Sequence, residues 1–210
     1  MLVVKRFTAT WCGPCRTLAP IMTTVQIKNP MVQFQVIDIE EQPDVSNEYG
    51  IRSVPTVILE KDGKIVKTIA DLPSAETTPS GYDNVQNVAR GFDWKDDEAA
   101  TITYAMPLDS GMIKKAVPFH DAVMAMTAPF NEAPKELFKT AARFSNISWG
   151  DETLALVTEV LRTKQRYKVS VYNHKANSLT TLYERSLTDA YSNLGNPVTQ
   201  KNKFGKDVIA

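Results

Sequence analysis

Phe7-Thr8-Ala9-Thr10-Trp11-Cys12-Gly13-Pro14-Cys15-Arg16 contains both cysteines of the 210-residue chain, and its reading decides the fold around it. Leu2 to Thr8 is an apolar, β-prone run, and Gly13 to Lys28 carries Leu18, Ile21, Met22 and Val25 at helical spacing. The C-x-x-C therefore follows a strand and opens a helix. A sulfur at a helix N-terminus faces unpaired backbone N–H groups and the positive end of the dipole, which favour thiolate over thiol. That placement makes Cys12 the candidate nucleophile. Cys15, three residues on, lies within reach to resolve a mixed disulfide, and Pro14 sits where a missing N–H costs least. Two bland readings stand beside this one. The pair is half of a zinc site, which would need His120 and His174, neither at H-x₃₋₅-H spacing; or the cysteines are inert and buried, which leaves Trp11 and Gly13-Pro14 unexplained. With no other cysteine in the chain, a disulfide here joins Cys12 to Cys15.

Outward from this stretch, Val32 to Ile39 reads as a second strand and Pro43 to Tyr49 as a short helix closed by Gly50. Val57 to Leu59 and Lys64 to Ile69 flank a hairpin turn at Lys61-Asp62-Gly63. The order over residues 1–70 is βαβαββ, an α/β pattern with a mixed sheet. Residues 71–92, with Pro73, Ser74, Thr77, Thr78, Pro79, Ser80 and Gly81, read as a linker or long loop, and the domain boundary is placed there.

Residues 93–210 read as all-β and antiparallel. Strands are expected at Thr101 to Met106, Ala122 to Thr127, Glu136 to Thr140, Leu154 to Val160, Lys168 to Tyr172 and Leu179 to Glu184. An internal echo sharpens the reading: Phe92-Asp93-Trp94-Lys95-Asp96-Asp97-Glu98 precedes one strand and Ile147-Ser148-Trp149-Gly150-Asp151-Glu152 another, the tryptophans 55 residues apart. That period approaches a propeller blade. Two units form only a partial propeller of about two blades; a β-sandwich with a chance W-x-D echo is the alternative.

The formal net charge is +0, with 24 basic and 24 acidic side chains, and neither part hides an excess: residues 1–70 carry 8 and 7. Such a chain lacks the positive field that phosphate backbones reward, so nucleic acid is not expected as a partner. No window approaches a spanning length of apolar residues, and no membrane association is expected. The N-terminus lacks the apolar core of a secretory signal, which points to a cytoplasmic location.

The quoted stretch, with Asp38 and Tyr49-Gly50-Ile51-Arg52-Ser53-Val54-Pro55-Thr56, closely resembles the thioredoxin family over about residues 1–70. The resemblance implies a redox dithiol at Cys12 and Cys15 with Trp11, Gly13 and Pro14 shaping the site. It puts Pro55 in the place of the family's cis proline facing the dithiol, presenting the backbone of Val54 to a substrate strand. Three departures stand out. The family's usual first strand and helix have no counterpart, Arg6 stands where many members keep a buried acid, and Leu72-Pro73-Ser74-Ala75-Glu76 replaces the terminal helix. One sheet face is then expected to lack its cover.

The second part resembles the propeller of prolyl-oligopeptidase-type serine peptidases, nearest to their glutamyl endopeptidase branch. The resemblance is carried by Ala99 to Tyr104, Asp109-Ser110-Gly111, Ala128-Pro129-Phe130, Glu136 to Thr140, Ser148 to Val157, Tyr183 to Ser186 and Tyr191 to Val198. It brings no catalysis, because that family's nucleophile sits in a G-x-S-x-G elbow that Ser80-Gly81 and Ser110-Gly111 do not reproduce. His120 and His174 read as surface or turn histidines, Asp96-Asp97-Glu98 as a solvated turn, Lys114-Lys115 as a solvated hairpin, and Trp94, Trp149, Met124 and Met126 as core.

The leading functional reading is a thiol–disulfide oxidoreductase without bound cofactor or metal, acting on disulfide-containing proteins and fed by an external thioredoxin-reductase-like donor. The alternative is a non-catalytic peptidase-propeller fragment that serves as an interaction or gating surface, the chain being a recombined or truncated coding product. A serine peptidase is not expected.

Overall fold

The apolar run Leu2–Thr8 forms β1, an inner strand of a four-stranded mixed sheet. Its neighbour β2 (Gln33–Asp38) runs parallel, so the chain must cross over, and helix α1 (Gly13–Lys28) makes the crossover. A short helix α2 (Pro43–Glu48) then leads to β3 (Thr56–Lys61), antiparallel to β1, and to β4 (Lys64–Ile65), giving the order β2-β1-β3-β4. Asp62 and Gly63 both take positive φ, as a two-residue hairpin turn between right-twisted strands requires. The last strand, expected to run to Ile69, keeps ladder pairs only at Lys64 and Ile65; one more bond follows, Val66 N–H to the Leu59 carbonyl at 2.9 Å. Gly50, with φ of 61°, ends α2: its N–H reaches the Asn47 carbonyl at 3.0 Å and that of Ile51 the Ser46 carbonyl at 2.9 Å.

The computed structural model describes residues 1–69, 73, 75–150, 153–189 and 191–210. The expected boundary residues Leu72 and Ser74 and the echo residues Asp151 and Glu152 lie outside that set. The chain divides into two compact units, Met1–Ile69 and Ala70–Ala210.

In the first unit, register places Val36 and Val57 on either side of Arg6, and Phe34 and Leu59 on either side of Val4. Val36, Val57 and Leu59 are exposed, so this face is incompletely covered. Helix α1 covers less than its spacing suggested, because Ile21 and Val25 point to solvent while only Leu18 and Met22 are half-buried.

The second unit is built from two antiparallel four-stranded meanders. The first comprises β5 (Arg90–Trp94), β6 (Thr101–Pro107), β7 (Asp121–Thr127) and β8 (Lys135–Thr140). The second comprises β9 (Arg143–Trp149), β10 (Leu154–Leu161), β11 (Arg166–Asn173) and β12 (Ser178–Ser186). A small hairpin of β13 (Thr199–Lys201) and β14 (Asp207–Ile209) follows, and the sheets do not close into a ring. The echo marks real repeats: Trp94 and Trp149 each end the first strand of a meander. That first strand was missed in both cases, since Arg90, Asp93, Asn146 and similar polar residues interrupt the alternation. The six expected strands are present, each within two residues at either end.

Val123, Ala125, Leu137 and Phe138 of the first meander pack with Trp149, Ala155, Val157 and Tyr172 of the second, and Val208 of the hairpin joins them. Trp94, expected in the core, is 48% exposed on edge strand β5, whereas Trp149 is buried with the Lys95 ammonium 4.6 Å from its ring. Residues 81–92, expected as linker or long loop, are tied into this unit. Asp83 accepts Thr163 N–H at 2.8 Å, Val85 N–H reaches the Gly111 carbonyl at 3.0 Å, and β5 begins at Arg90.

A buried ionic cluster joins the two meanders. The Arg143 guanidinium at the start of β9 grips Asp109 through two bonds (2.6 and 3.1 Å), Asp121 at 3.0 Å and the Asp83 carbonyl at 2.6 Å. Arg90 reaches Asp121 from β5, and His120 Nδ1 lies 2.8 Å from Asp109. Of the two histidines expected at the surface or in turns, His174 does lie in the turn between β11 and β12, but neither is at the surface. Their side chains are largely buried, beside Asp109 and, at 3.7 Å, Asp97. Asp97 in turn is buried against Lys95 rather than solvated, both its oxygens 2.7 Å from the ammonium. Among the described residues no helix is long and apolar enough to cross a membrane.

Candidate functional site: the Cys12–Cys15 disulfide

Where β1 ends, the Cys12 N–H bonds the Ala9 carbonyl at 3.1 Å and turns the chain into α1. Cys12 is the helix N-cap, with extended dihedrals (φ −79°, ψ 100°), and its Sγ accepts the Cys15 N–H at 3.2 Å. One orphan donor of the first helical turn is therefore spent on sulfur. Pro14 falls in that turn, where a proline removes no helical bond. Cys12 and Cys15 form a disulfide with Cα atoms 5.3 Å apart, so neither is a zinc thiolate in this structure. Among the described residues no group of three or more His, Cys, Asp or Glu side chains is arranged to hold a metal ion.

Both cysteines are only 3% exposed and pack with Ala9, Ile39 and Val54. Val54, read from sequence as a substrate-contacting residue, is thus brought against the disulfide, and the Val54–Pro55 peptide is cis. Trp11 lies beside the pair, 64% exposed. Arg16 donates to the Thr10 carbonyl at 3.3 Å and Thr10 to Glu40 at 3.1 Å, fixing the rim of the turn. A Cβ at Gly13 would meet nothing closer than the Arg16 guanidinium at 3.8 Å, so sterics alone do not demand glycine there. Arg6 lies half-buried on β1, its Nε buried without a hydrogen-bond partner.

One feature near the site gave no sequence signal. Lys5 and Glu60 pair at 2.9 Å across the sheet, both largely buried, and Lys5 also donates to the Tyr49 hydroxyl while lying 4.4 Å from that ring's centre. The Tyr49 hydroxyl, with Glu60 adding to it and burial opposing, raises the Lys5 ammonium above its ordinary value. The same hydroxyl and then Lys5 hold the Glu60 carboxyl below its own.

A strand–turn–helix dithiol on a mixed sheet of this order defines a thioredoxin-like domain. The thioredoxin family model matches residues 1–78, and through this N-terminal part the chain belongs to the thioredoxin family. A thioredoxin of Listeria monocytogenes is 39% identical over 69 residues, covering 32% of this chain and 67% of that protein. The oxidised mitochondrial thioredoxin 3 of Saccharomyces cerevisiae is 38% identical and aligns 33% of this chain with 65% of that one, at a TM-score of 0.31. A second, distant similarity extends over most of the chain. A probable chloroplastic glutamyl endopeptidase of Arabidopsis thaliana is 33% identical over 153 residues, which are 71% of this chain and 16% of that protein. The chain thus spans about one sixth of the endopeptidase's length.

Proposed function

We propose that the N-terminal unit catalyses thiol–disulfide exchange on protein disulfides, with Cys12 as nucleophile and Cys15 as resolving thiol. The observation that carries this reading is the Cys12 sulfur at the helix N-cap, accepting a backbone N–H that Cys15 Sγ does not receive. That bond and the helix dipole favour a thiolate at Cys12 once the disulfide is reduced. The thiolate attacks one sulfur of a substrate disulfide, forming a mixed disulfide and releasing the other sulfur as a thiol after protonation. Cys15 then loses its proton and attacks Cys12 Sγ, which restores the Cys12–Cys15 bond and frees the second substrate thiol. Two electrons have passed to the substrate, and a reductase-type donor of the kind thioredoxin-family proteins generally use returns them. Exposed Trp11 and the backbone of Val54, packed on the disulfide, offer the surface on which a substrate strand settles.

The test is reduction of a disulfide-bonded protein such as insulin by the full chain, with a dithiol as donor. Activity should vanish in Cys12→Ser, and Cys15→Ser should accumulate a mixed disulfide through Cys12. Undiminished activity in Cys12→Ser, or an adduct trapped on Cys15 instead, removes the assignment. The alignment of 71% of the chain with part of a glutamyl endopeptidase favours a second reading, in which the β-sheets serve as an interaction surface and the dithiol is vestigial. Absence of any disulfide reduction by the full chain selects it.

A further inference from the structure

Strand β2 is an edge of the first unit's sheet by topology, yet apart from one charge at its end it has none of the features that keep edges from pairing. Its six residues, Gln33-Phe34-Gln35-Val36-Ile37-Asp38, contain no lysine, arginine, glutamate or proline, and its register with β1 is unbroken. The single charge, Asp38, stands at the end, where its carboxylate accepts the Glu40 N–H at 2.9 Å. The other sheet edges among the described residues are blunted. Register shifts interrupt the pairing of β5, β8, β9 and β12 with their neighbours, and all four carry charged residues. Strand β4 has two residues, one a lysine, while β13 and β14 have three each.

We infer that β2 pairs antiparallel with β2 of a second copy of this chain, making one continuous sheet across a two-fold axis. The sequence is self-complementary in this arrangement. Side chains facing each other across an antiparallel pair must lie on the same face of the sheet, so the axis passes through either Gln35 or Val36. Centring on Gln35 sets Phe34 against Val36 of the second copy, twice by symmetry, and Gln35 against Gln35, while the two Asp38 carboxylates stay well apart. Centring on Val36 would press each Asp38 against a Phe34 ring. The Gln35 register therefore wins.

It also buries what the monomer leaves wet. Val36 is 58% exposed, and it lies on the face shared with exposed Val57 and Leu59 and with half-buried Arg6, so pairing extends the apolar part of that face from one copy to the other. A chain of formal net charge +0 offers no repulsion between copies. The inference does not depend on the redox reading of the same unit.

Sedimentation equilibrium of the full, oxidised chain is expected to show twice the chain mass at micromolar concentration. Val36→Lys, at a position exposed in the monomer, removes both Phe34–Val36 contacts and should weaken association by about tenfold or more, with far-UV circular dichroism unchanged. Leu182→Lys, on edge strand β12, should leave the dimer intact. Gln35→Cys should cross-link copies under mild oxidation, because the axis brings these side chains together. A monomeric parent chain overturns the proposal, as does a dimer that Val36→Lys does not weaken, one that Leu182→Lys dissociates, or failure of Gln35→Cys to cross-link.

Discussion

Replacing Arg143 by alanine should be among the most damaging single changes in the second unit. The guanidinium makes two bonds to Asp109, one to Asp121, one to the Asp83 carbonyl and one to the His120 carbonyl, and both carboxylates are 0% exposed. Without it, Asp109 keeps His120 and the Gly111 N–H, and Asp121 keeps Arg90 and the Phe144 N–H. The carboxylates are then under-compensated in a site closed to water. Removing one partner of a buried ion pair costs about 3–5 kcal/mol, and the surviving partners hold the expectation to the lower half of that range. For a chain of this size, about 3–4 kcal/mol lowers Tm by roughly 6–16 °C. Thermal unfolding followed by the fluorescence of Trp149, buried at the joint between the meanders, reads the change directly. Arg143→Lys should fall between, since an ammonium cannot bridge both aspartates and the Asp83 carbonyl in one plane. Disulfide reduction should persist in both variants below the transition. A loss under about 1 kcal/mol in Arg143→Ala would show that the cluster is not the clamp between the meanders.

Four further outcomes follow from other residues. Burial by itself would raise the Asp109 carboxyl, but Arg143 and then His120 outweigh it and hold it below the ordinary 3.8. A depressed folded-state value contributes stability that is complete above the unfolded value and lost as pH falls through the folded one. The urea midpoint should therefore drop below about pH 4, and Asp109→Asn should flatten that part of the profile. Gly111 has φ of 81° and a Cβ there would lie 2.1 Å from the Val85 carbonyl oxygen, so Gly111→Ala should cost at least about 2 kcal/mol by denaturant unfolding. Gly13→Ala, free of any such contact, should be neutral or slightly stabilising. Arg6→Leu removes a buried, unpartnered Nε from a strip it shares with Val36 and Val57, and should leave stability unchanged or raise it by about 1 kcal/mol; a clear loss would reveal a partner in solution.

What the sequence disclosed was local. The helix opened by Gly13 and closed near Lys28 was legible because a C-G-P-C after an apolar run fixes both the N-cap and the period that follows. The six strands from Thr101 to Glu184 were legible from alternation between turn residues. Their companions β5 and β9 were not, because an edge strand need not alternate cleanly when only part of one face is covered. Trp94 and Trp149 sit at equivalent places in the two meanders, yet one is exposed and the other buried. Similar local sequence does not say which neighbour will pack on it. The charges were the least legible of all. Asp97 reads as part of a solvated turn, yet Lys95, two residues before it, buries it, and nothing in the sequence around Asp109, Asp121 and Arg143 signals that the fold brings them together within 3.1 Å or less.

The Lys5–Tyr49–Glu60 network shows how such an unread feature bears on the site. Tyr49 caps α2, and Gly50 and Ile51 fold back on Asn47 and Ser46, so the end of that helix is fixed by its own backbone. Lys5 on β1 and Glu60 on β3 hold the Tyr49 hydroxyl to the sheet. The segment that follows must then run from this anchored point to Thr56, where β3 begins opposite Phe7, and Thr56 adds a bond from its hydroxyl to the Ser53 carbonyl at 2.6 Å. With both ends held, Val54 has little choice but to lie where it does, against the sulfurs carried by the turn after β1. Three residues with no redox chemistry of their own thus help hold Val54 against the disulfide, and they do so through groups that the sequence scatters across fifty-odd positions.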